Sequence, residues 1–155
     1  MARPLRLEFP GALYRITACG NAQQLIFLED GDRHQFIRVR GREVQQPHWR
    51  CSVYCLMGNH DHLVIETPEP NRSRGLRRLY GTYTQWFNRC HQRVGHLLQG
   101  RFKSLLVGKE CSLQELCRYV VLNPVRAVMV AEAGGWAWSR VVIERLRVSK
   151  KRQAG

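Results

Sequence analysis

The sequence predicts an α+β fold, an antiparallel sheet with helices on one face, built as a split β-α-β sandwich with an added carboxy-terminal helix. Two observations carry this. Apolar residues recur at a spacing of two or of three to four, and the spacing switches along the chain in the order β-α-β-β-α-β-α. Near the middle, Gly58-Asn59 joins two runs rich in β-branched and aromatic residues, the signature of a hairpin.

Residues Ala12 to Ala18 alternate apolar and polar side chains and then meet Gly20-Asn21, a strand ending in a turn. Asp30-Gly31-Asp32 supplies capping carboxylates before Phe36, Ile37 and Val39, so a short helix follows and ends near Gly41 or a little later. Trp49 to Met57 and His60 to Thr67 are the two arms of the hairpin, the second stopped by Pro68. From Arg74 to Asn88 the residues Leu76, Tyr80, Tyr83 and Phe87 fall at helical spacing, with Leu79 and Trp86 widening the stripe. Leu105-Leu106-Val107 reads as a short strand. Ser112-Leu113-Gln114-Glu115 is a capping box that starts a helix through Leu116, Tyr119 and Val120. Pro124 disfavours helical geometry at Asn123 or breaks the helix there. Beyond Gly134-Gly135 the pattern weakens, with Trp136 and Trp138 left as caps for the core. The order is that of a ferredoxin-like sandwich over residues 1–140, followed by a basic, flexible tail over 141–155 that contains Lys150-Lys151-Arg152.

The 155 residues fit one compact domain. No apolar run approaches the roughly 18 residues of a membrane span, and Met1 to Arg6 lack the apolar core of a signal peptide, so the expectation is a cytoplasmic protein without a membrane partner. Six cysteines at irregular spacings, with no Cys-x-x-Cys pair, read as reduced and mostly packed. Charge is the stronger constraint. With 25 Lys and Arg against 12 Asp and Glu the chain carries a formal +13, and such an excess repels itself unless a polyanion offsets it; nucleic acid is the commonest one.

Three groups of residues carry candidate chemistry. His60 and His62 flank Asp61 on a strand, where the side-chain period of two puts both imidazoles on one face, roughly 6 to 7 Å apart, and Asp61 on the other. Such a pair serves equally as ordinary strand histidines or as two ligands of one divalent ion, which then needs further donors such as water or oxygen. Tyr119 and Asn123 stand at i and i+4, stacked on one helical face if the helix continues, and are either packing residues or a phenol beside an amide donor. Arg72, Arg74, Arg77 and Arg78 crowd the start of the long helix against its dipole, and Arg101 and Lys103 extend the charge; these form a solvated face or a track for phosphates. No Gly-Lys-Ser/Thr phosphate loop is present, so no nucleotide cofactor is expected.

Together these residues resemble a known family. The run from Tyr54 to Pro68, which contains Gly58-Asn59-His60-Asp61-His62, resembles the HUH strand of the REP-associated tyrosine transposases, small single-strand DNA transposases of the HUH superfamily. The resemblance continues through Tyr83 to Arg89, Gly95 to Ser104 and Arg118 to Ala127, with Phe9 to Tyr14 at the start, and spans most of residues 2 to 140. It departs at Gly58, where the family commonly has proline, at Asp61, where it has a hydrophobic residue, and after Ser139. What it implies is an enzyme that cuts and rejoins single-stranded or hairpin DNA through a 5′-phosphotyrosine. Tyr119 matches the nucleophile, His60 and His62 hold Mg²⁺ or Mn²⁺, and Asn123 is the third ligand. Arg72, Arg74, Arg77, Arg78, Arg101, Lys103 and Arg126 would meet the DNA. Monomer and homodimer both remain open, and the rival reading on the same fold is a DNA-binding module without catalysis.

Overall fold

A computed structural model describes residues 7–45, 49–108 and 111–141. The elements follow as β1 (Ala12–Cys19), α1 (Asp30–Gln45), β2 (Arg50–Leu56), β3 (His60–Thr67), α2 (Arg72–Cys90), β4 (Lys103–Leu106), α3 (Leu113–Val121), α4 (Asn123–Arg126) and β5 (Ser139–Val141). The five strands form one sheet in the order β4-β1-β3-β2-β5, and every pairing is antiparallel. This is the expected α+β split β-α-β sandwich with a strand added at the β2 edge.

Strand alternation divides the sheet into two faces with a core on each. Tyr14, Ile16, Tyr54, Leu56, Leu63 and Ile65 meet Phe36 and Val39 of α1 and Leu76, Tyr80, Tyr83 and Phe87 of α2. On the other face Val53, Cys55, Met57 and Val64 meet Leu116, Cys117 and Val120 of α3. The two crossover helices therefore share one face, and the added helix covers the other. A β-bulge between Cys51 and Val53 resets the phase of β2, which lets Cys51 join the first core while Val53 joins the second.

Several boundaries differ from the sequence expectation. Helix α1 runs through Gly41 to Gln45, because one exposed-side glycine costs only about 1 kcal/mol against the burial of Phe36 and Val39. Strand β4 begins at Lys103 and ends before Val107, since the register with β1, from Thr17 opposite Lys103 to Tyr14 opposite Leu106, decides its span. Strand β5 was not legible at all. It is held by its pairing with β2, by the Leu56 N–H donating to the Trp138 carbonyl at 2.8 Å, and by Trp136 Nε1 donating to the Leu56 carbonyl at 3.0 Å. Three of the six free cysteines, Cys51, Cys55 and Cys117, are buried, whereas Cys90 and Cys111 are exposed. Nearly all of the expected tail lies outside the described residues, and no helix among those described is long and apolar enough to cross a membrane.

The approach of α2 to the start of β2 depends on one glycine. Trp49 is buried, its Nε1 donates to Asn71 Oδ1 at 2.7 Å, and a Cβ on Gly75 would lie 2.2 Å from its ring. Gly75→Ala should therefore destabilise the protein by about 1 to 3 kcal/mol despite alanine's better helix propensity, as measured by urea unfolding. Trp49→Phe should be less harmful in the Gly75→Ala background than in the wild type. Additive losses would show that the ring does not depend on the missing side chain.

Candidate functional site

The phase of β3 sets the site. Asp61 is fully buried on the α1/α2 face, where its carboxylate accepts from the Ala18 N–H at 2.9 Å and from the Tyr80 hydroxyl at 2.9 Å. Burial pushes Asp61 up to about 7, against the opposing effect of those hydrogen bonds. Tyr80 is pushed well above its ordinary value by burial and then by the adjoining carboxylate. With Asp61 turned inward, His60 and His62 share the opposite face, as their spacing predicts, and the fold makes this the α3 face.

There the two imidazoles stand with ring centroids 5.0 Å apart and nearly perpendicular. His60 Nδ1 lies 2.7 Å from Asn59 Oδ1, and His62 Nδ1 lies 3.2 Å from Thr17 Oγ1. An amide oxygen only accepts, so His60 carries its proton on Nδ1 and keeps the Nε2 lone pair. Burial lowers the pKa of His60; burial, the neighbouring His60, Arg15 and Arg126 bring His62 down to about 4. Neutral imidazoles with oriented lone pairs suit a divalent cation. Among the described residues no cluster of three His, Cys, Asp or Glu exists, so the remaining donors for such an ion would be oxygens of substrate, water or a side-chain amide.

Helix α3 is amphipathic and buries Leu116, Cys117 and Val120, which leaves Tyr119 at its edge with 45% of its surface exposed. The Tyr119 ring packs against two guanidinium groups. Arg15 of β1 is 5.1 Å from its centroid and Arg126 of α4 is 4.2 Å from it. Arg126 also donates to the Tyr119 carbonyl and to Asn123 Oδ1, while Asn123 Nδ2 donates to the Val120 carbonyl. Arg15 was missed by the sequence reading, although the alternation of β1 puts it on the same face as Thr17.

Asn123 departs from its expected setting. The helix stops at Val121 and restarts at Asn123 with Pro124 in the first turn of α4, so Tyr119 and Asn123 do not share a continuous helix. The Asn123 amide joins the two helices and anchors Arg126.

The basic residues separate into different places. Lys103, Thr17, His62 and Cys55 are successive partners across four strands, so Lys103 lies on the histidine face two strands from His62, roughly 10 Å away. Arg101 is exposed just before β4. Arg74, Arg77 and Arg78 are exposed on α2, across the sheet from the histidines. Arg72 is buried to 4% exposure with its guanidinium 4.3 Å from the centre of the Tyr14 ring, so burial removes it from an exposed track.

The buried Asp61 makes stability depend on pH in a definite direction. The folded chain keeps a proton up to about pH 7 that the unfolded chain gives up near pH 4, so this contribution is complete below about pH 4 and is lost as the pH rises to about 7. In chelator-treated protein, Asp61→Asn should remove a pH-dependent difference on the order of a few kcal/mol between those limits, and should be the more stable form above about pH 7. Parallel urea-unfolding curves for the two proteins across this range would refute the burial of an ionisable carboxyl.

No family profile and no curated protein matches the chain. Two solved structures are similar to it. One is a REP-associated tyrosine transposase bound to a REP hairpin, at 17% identity and a TM-score of 0.70, over 90% of this chain and 82% of that one. The other is a candidate transposase from Deinococcus radiodurans R1, at 12% identity and a TM-score of 0.53, over 77% of this chain and 95% of that one. The chain therefore has the fold of the REP-associated tyrosine transposase, a five-stranded antiparallel sheet with helices.

Proposed function

We propose that this protein is a transposase of the REP-associated tyrosine type, which binds single-stranded or hairpin DNA and cuts and rejoins it through Tyr119. The observation that carries this reading is the contact of the Tyr119 ring with both Arg15 and Arg126 on the sheet face that presents His60 and His62. The similar fold of a transposase bound to a REP hairpin and the net charge of +13 support a DNA partner.

A phosphodiester repels nucleophiles through its own charge. Arg15 and Arg126 would offset that charge while holding the phenol in place. Tyr119 Oη then bonds to phosphorus as the bond from phosphorus to the 3′ oxygen breaks. The phenol proton passes to solvent, and the 3′ oxygen leaves as a hydroxyl. The bond is conserved as a 5′-phosphotyrosine, so rejoining is the same exchange in reverse. His60 Nε2 and His62 Nε2 would hold Mg²⁺ or Mn²⁺, and Asn123 Oδ1 would join them as a third donor on exchanging its hydrogen bond from Arg126. Bound there, the ion would supply Lewis-acid polarisation of a nonbridging phosphate oxygen.

Hairpin oligonucleotides with single-stranded flanks, incubated with Mg²⁺ or Mn²⁺, should give a denaturation-resistant protein-DNA adduct that disappears in Tyr119→Phe. His62→Ala should lose the adduct and keep most of its DNA affinity, which comes mainly from phosphate contacts. Retained binding with no adduct in the wild type would identify a binding module instead.

Arg15→Ala and Arg126→Ala should each slow adduct formation at saturating DNA by about tenfold or more. Losses confined to DNA affinity would place both arginines outside the reacting centre.

A further inference from the structure

A second cavity lies away from the histidines, between α2 and the segment from Gly95 to Phe102. One wall is α2 from Ser73 to Gln85 and the other is the segment from Gly95 to Phe102. We infer that this groove takes an unpaired base of single-stranded DNA, next to the segment that reaches Tyr119; the second clause rests on the proposed function.

The cavity is about 670 Å³, inside the range of about 300 to 1,000 Å³ typical of small-ligand sites. Its floor is aromatic, because Phe102 lines it and is stacked on Tyr80 with centroids 6.2 Å apart and planes 26° from parallel. Every base has a π-face, so stacking on such a floor accepts any of them. The wall also holds Thr84 and Gln85, whose side chains make no hydrogen bond among the described residues and are free to pair with a base edge. Arg77 and Arg101 line it from exposed positions and match the phosphates on either side of a bound base. Glu8 is the adverse charge on the wall, and its carboxylate is engaged by the Ser73 N–H at 2.6 Å.

The groove is continuous with the histidine face. Arg101 and Phe102 line it and also line a neighbouring cavity of about 890 Å³ that contains Arg15, Thr17 and Lys103. Arg15 touches the Tyr119 ring and Thr17 meets His62. A strand leaving that face thus has a basic path round the β4 edge into the groove.

Gly81 gives a clean test, since it lines the groove on an exposed turn of α2 and a Cβ there meets nothing within 4 Å. Gly81→Leu should fold normally, fill the groove, and weaken binding of short single-stranded oligonucleotides by about tenfold, the scale of one lost base stack. Replacing successive nucleotides with abasic linkers should find a position that costs wild type a similar factor and costs Gly81→Leu nothing more. Gln85→Ala should narrow any preference among oligo-dA, oligo-dC, oligo-dG and oligo-dT. Equal affinity of Gly81→Leu and wild type, or an abasic penalty that persists in Gly81→Leu, overturns the assignment. If wild type forms the Tyr119 adduct and Gly81→Leu binds as tightly, the groove falls and the nucleophile stands. If Gly81→Leu binds more weakly and wild type forms no adduct, the groove stands and the nucleophile falls.

Discussion

The Asp61 carboxylate, buried between β1 and α2, fixes the phase of the strand on which the candidate site depends. It accepts one hydrogen bond from the Ala18 backbone and one from Tyr80, and a strand that must bury Asp61 on one face has to present His60 and His62 on the other. A slip of one residue would put two imidazoles into the aromatic core of Tyr80, Tyr83 and Phe36 and leave Asp61 beside α3. A carboxyl in a dry site is costly unless it is hydrogen-bonded or protonated, and this one has both means of relief. A hydrophobic residue at this position would bury without that cost, so the site is held here by a polar link at some expense in stability.

The opposite face is organised by α3 and its continuation. Leu116, Cys117 and Val120 seal β2 and β3, and the same helical period leaves Tyr119 at the rim. The break before Pro124 then turns the chain so that Arg126 can reach back over the Tyr119 ring and bond the carbonyl below it. A continuous helix would have carried Arg126 past that position. The clustered charge has a local consequence, for Arg15 and Arg126 help to keep His62 neutral by disfavouring its protonated form. The arginines and the unprotonated imidazole are thus parts of one electrostatic arrangement.

The basic residues do not form a single stripe. Lys103 belongs to the histidine face, Arg101 turns the β4 edge, Arg74 and Arg77 occupy the helical face behind the sheet, and Arg72 is packed against Tyr14. Charge on both sides of one edge matches a nucleic acid that wraps the edge better than one that lies flat on a single surface.

The local periods of the sequence determined the seven elements of the sandwich, the Gly58-Asn59 hairpin and the common face of His60 and His62, because two- and three-to-four-residue repeats are properties of the backbone itself. The capping box at Ser112 marked the start of α3 for the same reason. Tertiary structure decided what depends on a partner distant in the chain. Strand β5 has only three residues and weak patterning, so it exists through pairing with β2; β4 took its span from the register of β1; and the side of the sheet that α3 covers followed from Val53, Cys55 and Val64. Arg15 was silent in the sequence because nothing local distinguishes an arginine on a strand. Its meeting with Tyr119 joins residues 104 positions apart, and only the folded sheet brings them together.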